Sequence, residues 1–262
     1  MTPENKLKNK KRFLLVSMMF FVCVLATGGI IYFLITINSY TKYNTNPIYI
    51  LPSSGNHTHT IIFMHGLDNT PENFIDMFNI SLNIKSKNTT KIVLLRAPEM
   101  KMSYNKLTQT SWFDIYSFPL NSNDTYNFYD AKNSANYLKK IIDEEVKNLN
   151  NDYSKIFIGG HSQGACISLY TGFTVDYLLG GIIVCSGFLF PQATIFDEKE
   201  KLNVFLAHGE QDQAIPFEFH LETVKEISNY EGVKKYYYEE HGHSISEQEK
   251  NDMCTFLNET ML

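Results

Sequence analysis

The chain is predicted to be an α/β protein, a mostly parallel sheet with helices on both faces, preceded by one N-terminal transmembrane helix. Three observations predict it. Short continuous apolar runs recur from residue 60 onward, each closed by a turn signal, as expected of strands buried on both faces. Stretches long enough for crossover helices separate them. Residues 13–37 carry no charged side chain, while Lys6, Lys8, Lys10, Lys11 and Arg12 stand before them.

The apolar N-terminal run is long enough to cross a hydrocarbon core, which takes about 20 residues. The basic cluster ahead of it, against only Lys42 close behind, predicts a single-pass protein with residues 1–12 as a cytosolic tail and 13–37 as an uncleaved anchor. A cleaved signal peptide ending near Val24-Leu25-Ala26 is the competing reading. The run continues past Ala26, however, beyond the usual apolar core of a signal peptide. On that reading the remainder faces the secretory pathway or the exterior. Residues 38–56 are polar, rich in Asn and Tyr, and read as a stalk ending in an edge strand at 48–51. Residues 57–262 read as one catalytic domain.

Within that domain the expected strands are 60–64, 92–95, 155–158, 181–185, 204–207 and 236–238. The expected helices are 71–84, 129–149, 163–175, 217–230 and 246–262. The first has Thr70 as a cap and Pro71 at its first position. The second has a 3.6-residue stripe of Ala135, Leu138, Ile141, Ile142, Val146 and Leu149.

Composition narrows the function. Over 262 residues the formal charge is −5, which offers nothing to attract nucleic acid. Cys23 lies in the apolar run, and Cys166, Cys185 and Cys254 are too widely spaced for a zinc site or a disulfide framework. No His/Cys/Asp cluster has ligand spacing, so neither metal nor cofactor is expected. The sequons at Asn56, Asn79, Asn88, Asn123 and Asn258 permit glycosylation in a lumenal setting without arguing for it.

In a parallel sheet, chemistry gathers at the carboxyl ends of the strands. Gly160-His161-Ser162-Gln163-Gly164 is a G-x-S-x-G turn directly after a strand run and opening a helix, the context in which a serine stands exposed on a sharp elbow in the α/β-hydrolase fold. A serine needs a base, and the base a carboxylate to orient it. Downstream, after a strand run, comes His208-Gly209-Glu210-Gln211-Asp212-Gln213-Ala214-Ile215-Pro216. Glu239-Glu240-His241-Gly242-His243-Ser244 follows the next strand run. Asp212 competes with Glu210 and Asp197 for the acid, and His243 with His241 for the base. His65, His161 and His208 read as strand-end hydrogen-bonding residues.

These blocks resemble the acyl-protein thioesterase and lysophospholipase family of small carboxylesterases. The resemblance rests on Phe63-Met64-His65-Gly66-Leu67, Leu95-Arg96-Ala97-Pro98, Ser111-Trp112-Phe113-Asp114-Ile115, the Ser-Gln-Gly turn, the 208–216 block and Gly242-His243-Ser244, in that order. It implies an α/β-hydrolase fold with Ser162 as nucleophile, Asp212 as orienting acid and His243 as base. It further implies the backbone N–H groups of Leu67 and Gln163 as oxyanion donors, and Trp112 as a lining of the acyl groove. The family's Pro-rich loop has no match at 100–109.

The expected activity is hydrolysis of acyl thioesters or carboxylic esters, on an acylated protein or a lysophospholipid, through an acyl-enzyme. A short-chain carboxylesterase and a non-catalytic surface protein on the same scaffold are the alternatives. The resemblance places protein substrates on the cytosolic face, whereas the flanking charges place the domain on the lumenal or external side. Nothing in the sequence sets the oligomeric state.

Overall fold

The computed structural model describes residues 48–121 and 125–261. Among the described residues nine strands form, in chain order β1 (Ile48–Leu51), β2 (His59–Met64), β3 (Thr90–Leu95), β4 (Glu99–Lys101), β5 (Thr108–Thr110), β6 (Ile156–His161), β7 (Gly181–Cys185), β8 (Val204–Gly209) and β9 (Val233–Tyr238). The α-helices are α1 (Phe128–Glu145), α2 (Gln163–Thr174), α3 (Phe217–Glu226) and α4 (Glu247–Thr260).

The main sheet runs β1-β3-β2-β6-β7-β8-β9. Only β1 is antiparallel, pairing Ile48 with Leu95 and Leu51 with Ile92; the other pairs are parallel. The central strands β2, β7 and β8 are buried at every position, as their unbroken apolar runs predict. This is the α/β-hydrolase architecture, with its parallel strand ends collected on one edge.

One face of the sheet carries a core of Ile61, Phe63, Phe74, Phe78, Leu82, Phe157, Phe205, Met253, Phe256 and Leu257, contributed by the sheet, the 71–84 segment and α4. On the other face α2 packs on β6, β7 and β2, and α1 packs on α2. The helix α1 starts where the Asn127 side chain accepts from the Tyr129 and Asp130 N–H groups, at 3.0 and 3.3 Å. It buries Ala131, Ala135, Leu138, Ile141 and Ile142, and ends through a 3-10 turn at left-handed Asn150. Ser246 caps α4 by accepting from Glu249 N–H at 3.0 Å.

Several expectations are corrected. The 71–84 segment is not one helix but a 3-10 turn at Pro71–Phe74 and a widened π turn at Met77–Ser81. Phe74, Met77, Phe78, Leu82 and Ile84 all face the core. Leu82 N–H reaches back to the Met77 carbonyl at 2.8 Å, and the chain leaves extended. The edge strand expected at 48–51 does form, as β1 against β3. The hairpin β4–β5 occupies the unmatched region 100–109.

Residues 1–12 and 13–37, read as a basic tail and a transmembrane helix, lie outside the described residues. Among the described residues no helix is long and apolar enough to cross a membrane. Even α1, the longest described, carries Asp130, Lys132, Lys139, Lys140, Asp143, Glu144 and Glu145 along its length.

Candidate active site

The site is assembled from the ends of four parallel strands. At the end of β6 the chain turns sharply into α2, with Ser162 at φ 57°, ψ −123°, a backbone state that a side chain adopts only at a cost. The flanking glycines are required by contact. A Cβ on Gly160 would stand 2.6 Å from the Met64 carbonyl oxygen, and one on Gly164 would stand 2.2 Å from the same atom. The turn is pinned by Ser162 N–H to the Cys185 carbonyl at 2.9 Å and by Cys166 N–H to the Ser162 carbonyl at 3.1 Å.

The Ser162 hydroxyl oxygen lies 2.8 Å from His243 Nε2. On the far side of the ring, His243 Nδ1 lies 2.6 Å from Asp212 Oδ2. Asp212 sits in the turn after β8, where its Oδ1 accepts from the N–H groups of Ala214 and Ile215 at 2.8 and 2.9 Å. Burial alone would raise the Asp212 pKa. The hydrogen bonds from His208 and His243 and the charge interaction with His243 outweigh it, holding the carboxyl well below the usual carboxylate range. The carboxylate is thus ionised at any working pH.

His243 is carried by the loop between β9 and α4. That loop closes over the end of β8, with Gln211 N–H donating to the His241 carbonyl at 2.9 Å. Gly209 makes the approach possible, since a Cβ there would meet the His241 carbonyl oxygen at 2.3 Å.

The structure separates the three residues from their rivals. Glu210 is exposed. Asp197 belongs to the turn Asp197–Lys201 ahead of β8, at the opposite end of the strand from Asp212. The His241 Nε2 engages its own loop at the Ser244 carbonyl, 2.5 Å away.

The remaining histidines stand at strand ends. His65 Nε2 accepts from Ala97 N–H at 3.0 Å while Nδ1–H donates to the Gly66 carbonyl at 2.7 Å. Burial pushes its pKa down to about 4. His208 Nε2 donates to the Ile215 carbonyl at 2.9 Å. His161 packs its ring 4.8 Å from that of His243, and its buried Nε2 has no hydrogen-bond partner. Burial, then the neighbouring His243, push its pKa down to about 3.

Of the oxyanion candidates, Gln163 opens α2, where first-turn N–H groups have no intrahelical acceptor. Leu67 follows Gly66, whose Cβ, if present, would touch that of Ser162 at 3.0 Å, so the 65–68 turn lies against the serine. Asp68, left-handed at φ 55°, ties that turn to β5 through its N–H and the Thr110 carbonyl, 2.8 Å apart.

Trp112 is corrected. Expected to line an acyl groove, it has no exposed surface and presents none to a substrate. Its Nε1–H donates to the His65 carbonyl at 2.8 Å and its ring stacks on Tyr137. The 111–113 segment instead holds the Gln163 side chain. Its Oε1 accepts from Ser111 Oγ and Trp112 N–H, both at 2.9 Å, and its Nε2 donates to the Phe113 carbonyl at 2.9 Å. Side-chain work by Gln163 and Ser111 was not foreseen from the sequence. The co-occurrence of Ser-Gln-Gly with Ser-Trp-Phe was the available signal.

Known proteins show the family and the fold. The family model described as phospholipase/carboxylesterase matches residues 46–261. Acyl-protein thioesterase 1 of Debaryomyces hansenii is 32% identical over 213 residues, covering 77% of this chain and 90% of the relative. Its namesake in Yarrowia lipolytica is 30% identical over 223 residues, covering 82% and 97%. Among solved structures, Arabidopsis thaliana SOBER1 superposes with a TM-score of 0.71 at 21% identity, covering 78% of this chain and 100% of the other. Zea mays acyl-protein thioesterase 2 does so at 0.68 and 17%, covering 82% and 99%; both show the shared fold.

These findings overturn the expected placement of a single-pass protein with its domain in the secretory pathway or outside the cell. The matched relatives are acyl-protein thioesterases, the class whose resemblance pointed to the other face of the membrane. The family match begins at residue 46, after the apolar run, which lies outside the described residues.

Proposed function

The chain belongs to the phospholipase/carboxylesterase family, and from that premise we propose that it hydrolyses acyl thioesters or carboxylic esters through Ser162, His243 and Asp212 by way of an acyl-enzyme. It is a serine carboxylic-ester or thioester hydrolase. The chemistry resides in residues 57–262.

The observation that carries the reading is the unbroken pair of hydrogen bonds, Ser162 Oγ to His243 Nε2 and His243 Nδ1 to Asp212 Oδ2. An ionised Asp212 accepts from Nδ1–H, which leaves the Nε2 lone pair facing the hydroxyl. As Ser162 Oγ attacks the acyl carbonyl, His243 Nε2 takes its proton and the carbonyl π electrons move onto oxygen. The N–H groups of Leu67 and Gln163 receive that oxyanion. The tetrahedral species collapses, the thiolate or alkoxide leaves with the proton from Nε2, and the acyl group stays on Ser162. Water, deprotonated by the same nitrogen, then releases the carboxylic acid.

The names of the relatives favour an S-acylated protein as substrate. A lysophospholipid offers the same acyl carbonyl. The buried Trp112 plays no part in selecting the chain; its role is to seat the segment that holds Gln163.

The test is hydrolysis of nitrophenyl esters of rising chain length and of a palmitoylated peptide. Ser162→Ala is expected to lose several orders of magnitude in kcat, about 10⁶ where the triad acts as a unit. Retention of the wild-type rate would end the proposal. A rate peaking at two to four acyl carbons would favour a short-chain esterase, and failure to label with a fluorophosphonate would favour a scaffold without an activated serine.

A further inference from the structure

Asp212 Oδ2 faces two imidazoles. His243 Nδ1 is 2.6 Å away, and His208 Nε2, from β8, is 3.2 Å away. His208 is fully buried, and its Nε2 also lies 2.9 Å from the Ile215 carbonyl oxygen. A carbonyl only accepts, so Nε2 carries the ring proton. Nδ1 has no hydrogen-bond partner, and a proton there would be a buried unsatisfied donor.

We infer that His208 is a positioning residue for the reaction, its Nε2–H shared between the Ile215 carbonyl and Asp212 Oδ2 so that the carboxylate is held at a fixed angle beneath His243. The inference rests on the reading of Ser162, His243 and Asp212 given above. The two backbone donors secure only Oδ1, and they belong to the same turn as Asp212 itself. His208 secures the other oxygen from a strand inside the sheet. His243, by contrast, rides on a loop and leaves 23% of its side chain exposed. Positioning therefore reaches the loop-borne member of the constellation from β8, through His208 and then Asp212.

The His208 ring is itself boxed in. His220 lies 5.1 Å from it and Phe217 5.9 Å, with His220 and Phe217 stacked on each other at 12° and Tyr237 edge-on to both. Besides Asp212 and His243, the titratable groups around this cluster are His161 from β6, His220 from α3 and Glu249 from α4. His241 in the 241–243 loop and Lys235 on β9 complete the surroundings. None of these approaches Asp212 Oδ2 within an ion-pair distance among the described residues, as His208 and His243 do.

The experiment compares His208→Met and His208→Gln in the full chain with a nitrophenyl ester. The two replacements are near-isosteric, but only glutamine keeps an N–H at the reach of Nε2. His208→Met is expected to lower kcat about 10- to 100-fold at unchanged KM, the scale of a small misplacement. His208→Gln should return to within about threefold of wild type. On an Asp212→Asn background, His208→Met should add no further loss, because the group it positions is gone.

Full kcat in His208→Met would overturn the inference. So would equal losses in Met and Gln, or a loss of the same size on the Asp212→Asn background. Thermal melts establish that each variant folds. If the Met variant does not, His208→Phe keeps the ring shape without the donor and is read in the same way. Failure of the underlying reading looks different: Asp212→Asn alone would then keep the wild-type rate.

Discussion

At the scale of single residues, Gln163 bears most on how the site is held. Its backbone opens α2 beside the serine, while its side chain makes three hydrogen bonds to 111–113, a segment far away in the chain. Replacing it by leucine keeps the backbone and removes the side-chain partners. Trp112 N–H would then be buried without this acceptor, costing about 1–3 kcal/mol, while Ser111 Oγ keeps the Phe113 carbonyl at 2.7 Å. Gln163→Leu is therefore expected to lower the urea midpoint by the equivalent of about 1–3 kcal/mol. A midpoint within error of wild type would show that the clamp adds nothing. The residues that meet at the site were legible in the sequence because each stands at the end of a strand run, where a polar side chain has no packing role. Trp112 was not legible. Its indole is amphipathic, and nothing along the chain indicated that its N–H would find the His65 carbonyl inside the core.

At the scale of elements, the strand runs predicted their strands to within a few residues, since burial on both faces leaves an unbroken apolar signature. The 71–84 segment misled because a good cap position and Pro71 announce a helix start but say nothing of its end. The structure instead makes a 3-10 turn and then a π turn, and leaves extended at Leu82. The hairpin β4–β5 left no trace because its strands are three residues each and polar, Glu99–Lys101 and Thr108–Thr110. It is held instead by Ser103 N–H and Oγ donating to the two Asp114 carboxylate oxygens at 2.7 and 2.5 Å. Element packing also sets the reach of His243. The end of β8 passes under the 241–243 loop with no room for a methyl at Gly209. Gly209→Ala should lift that loop and lengthen the Ser162–His243 contact. A displacement near 1 Å costs about 10²-fold in rate. Steady-state kinetics with a nitrophenyl ester should show kcat falling by about that factor. An unchanged kcat would mean that the loop accommodates the methyl elsewhere.

At the scale of the whole molecule, the fold encloses titratable groups whose folded and free states differ, which makes stability depend on pH. Burial pushes His65 down to about 4 and His161 and His220 down to about 3, from an unperturbed 6.5. His57 and His59 are lowered as well, chiefly by burial. Below pH 6.5 the unfolded chain takes up protons at these positions that the folded chain refuses, so acidification favours unfolding. Glu249, buried in α4 with Oε1 unpartnered, opposes them. Burial pushes its pKa up to about 7 from 4.5, so the folded state holds a proton that the unfolded state has released, and stability falls as pH rises across that interval. Between pH 4.5 and 6.5 the three strongly shifted histidines outweigh the one carboxyl. Each net proton is worth about 1.4 kcal/mol per pH unit. The melting temperature should therefore drop as pH is lowered from 6.5 to 4.5. Glu249→Gln removes the opposing contribution, so its melting temperature should drop more steeply over the same interval. Parallel curves for wild type and Glu249→Gln would show that the carboxyl beneath the site is already ionised in the folded protein, its charge met by a partner.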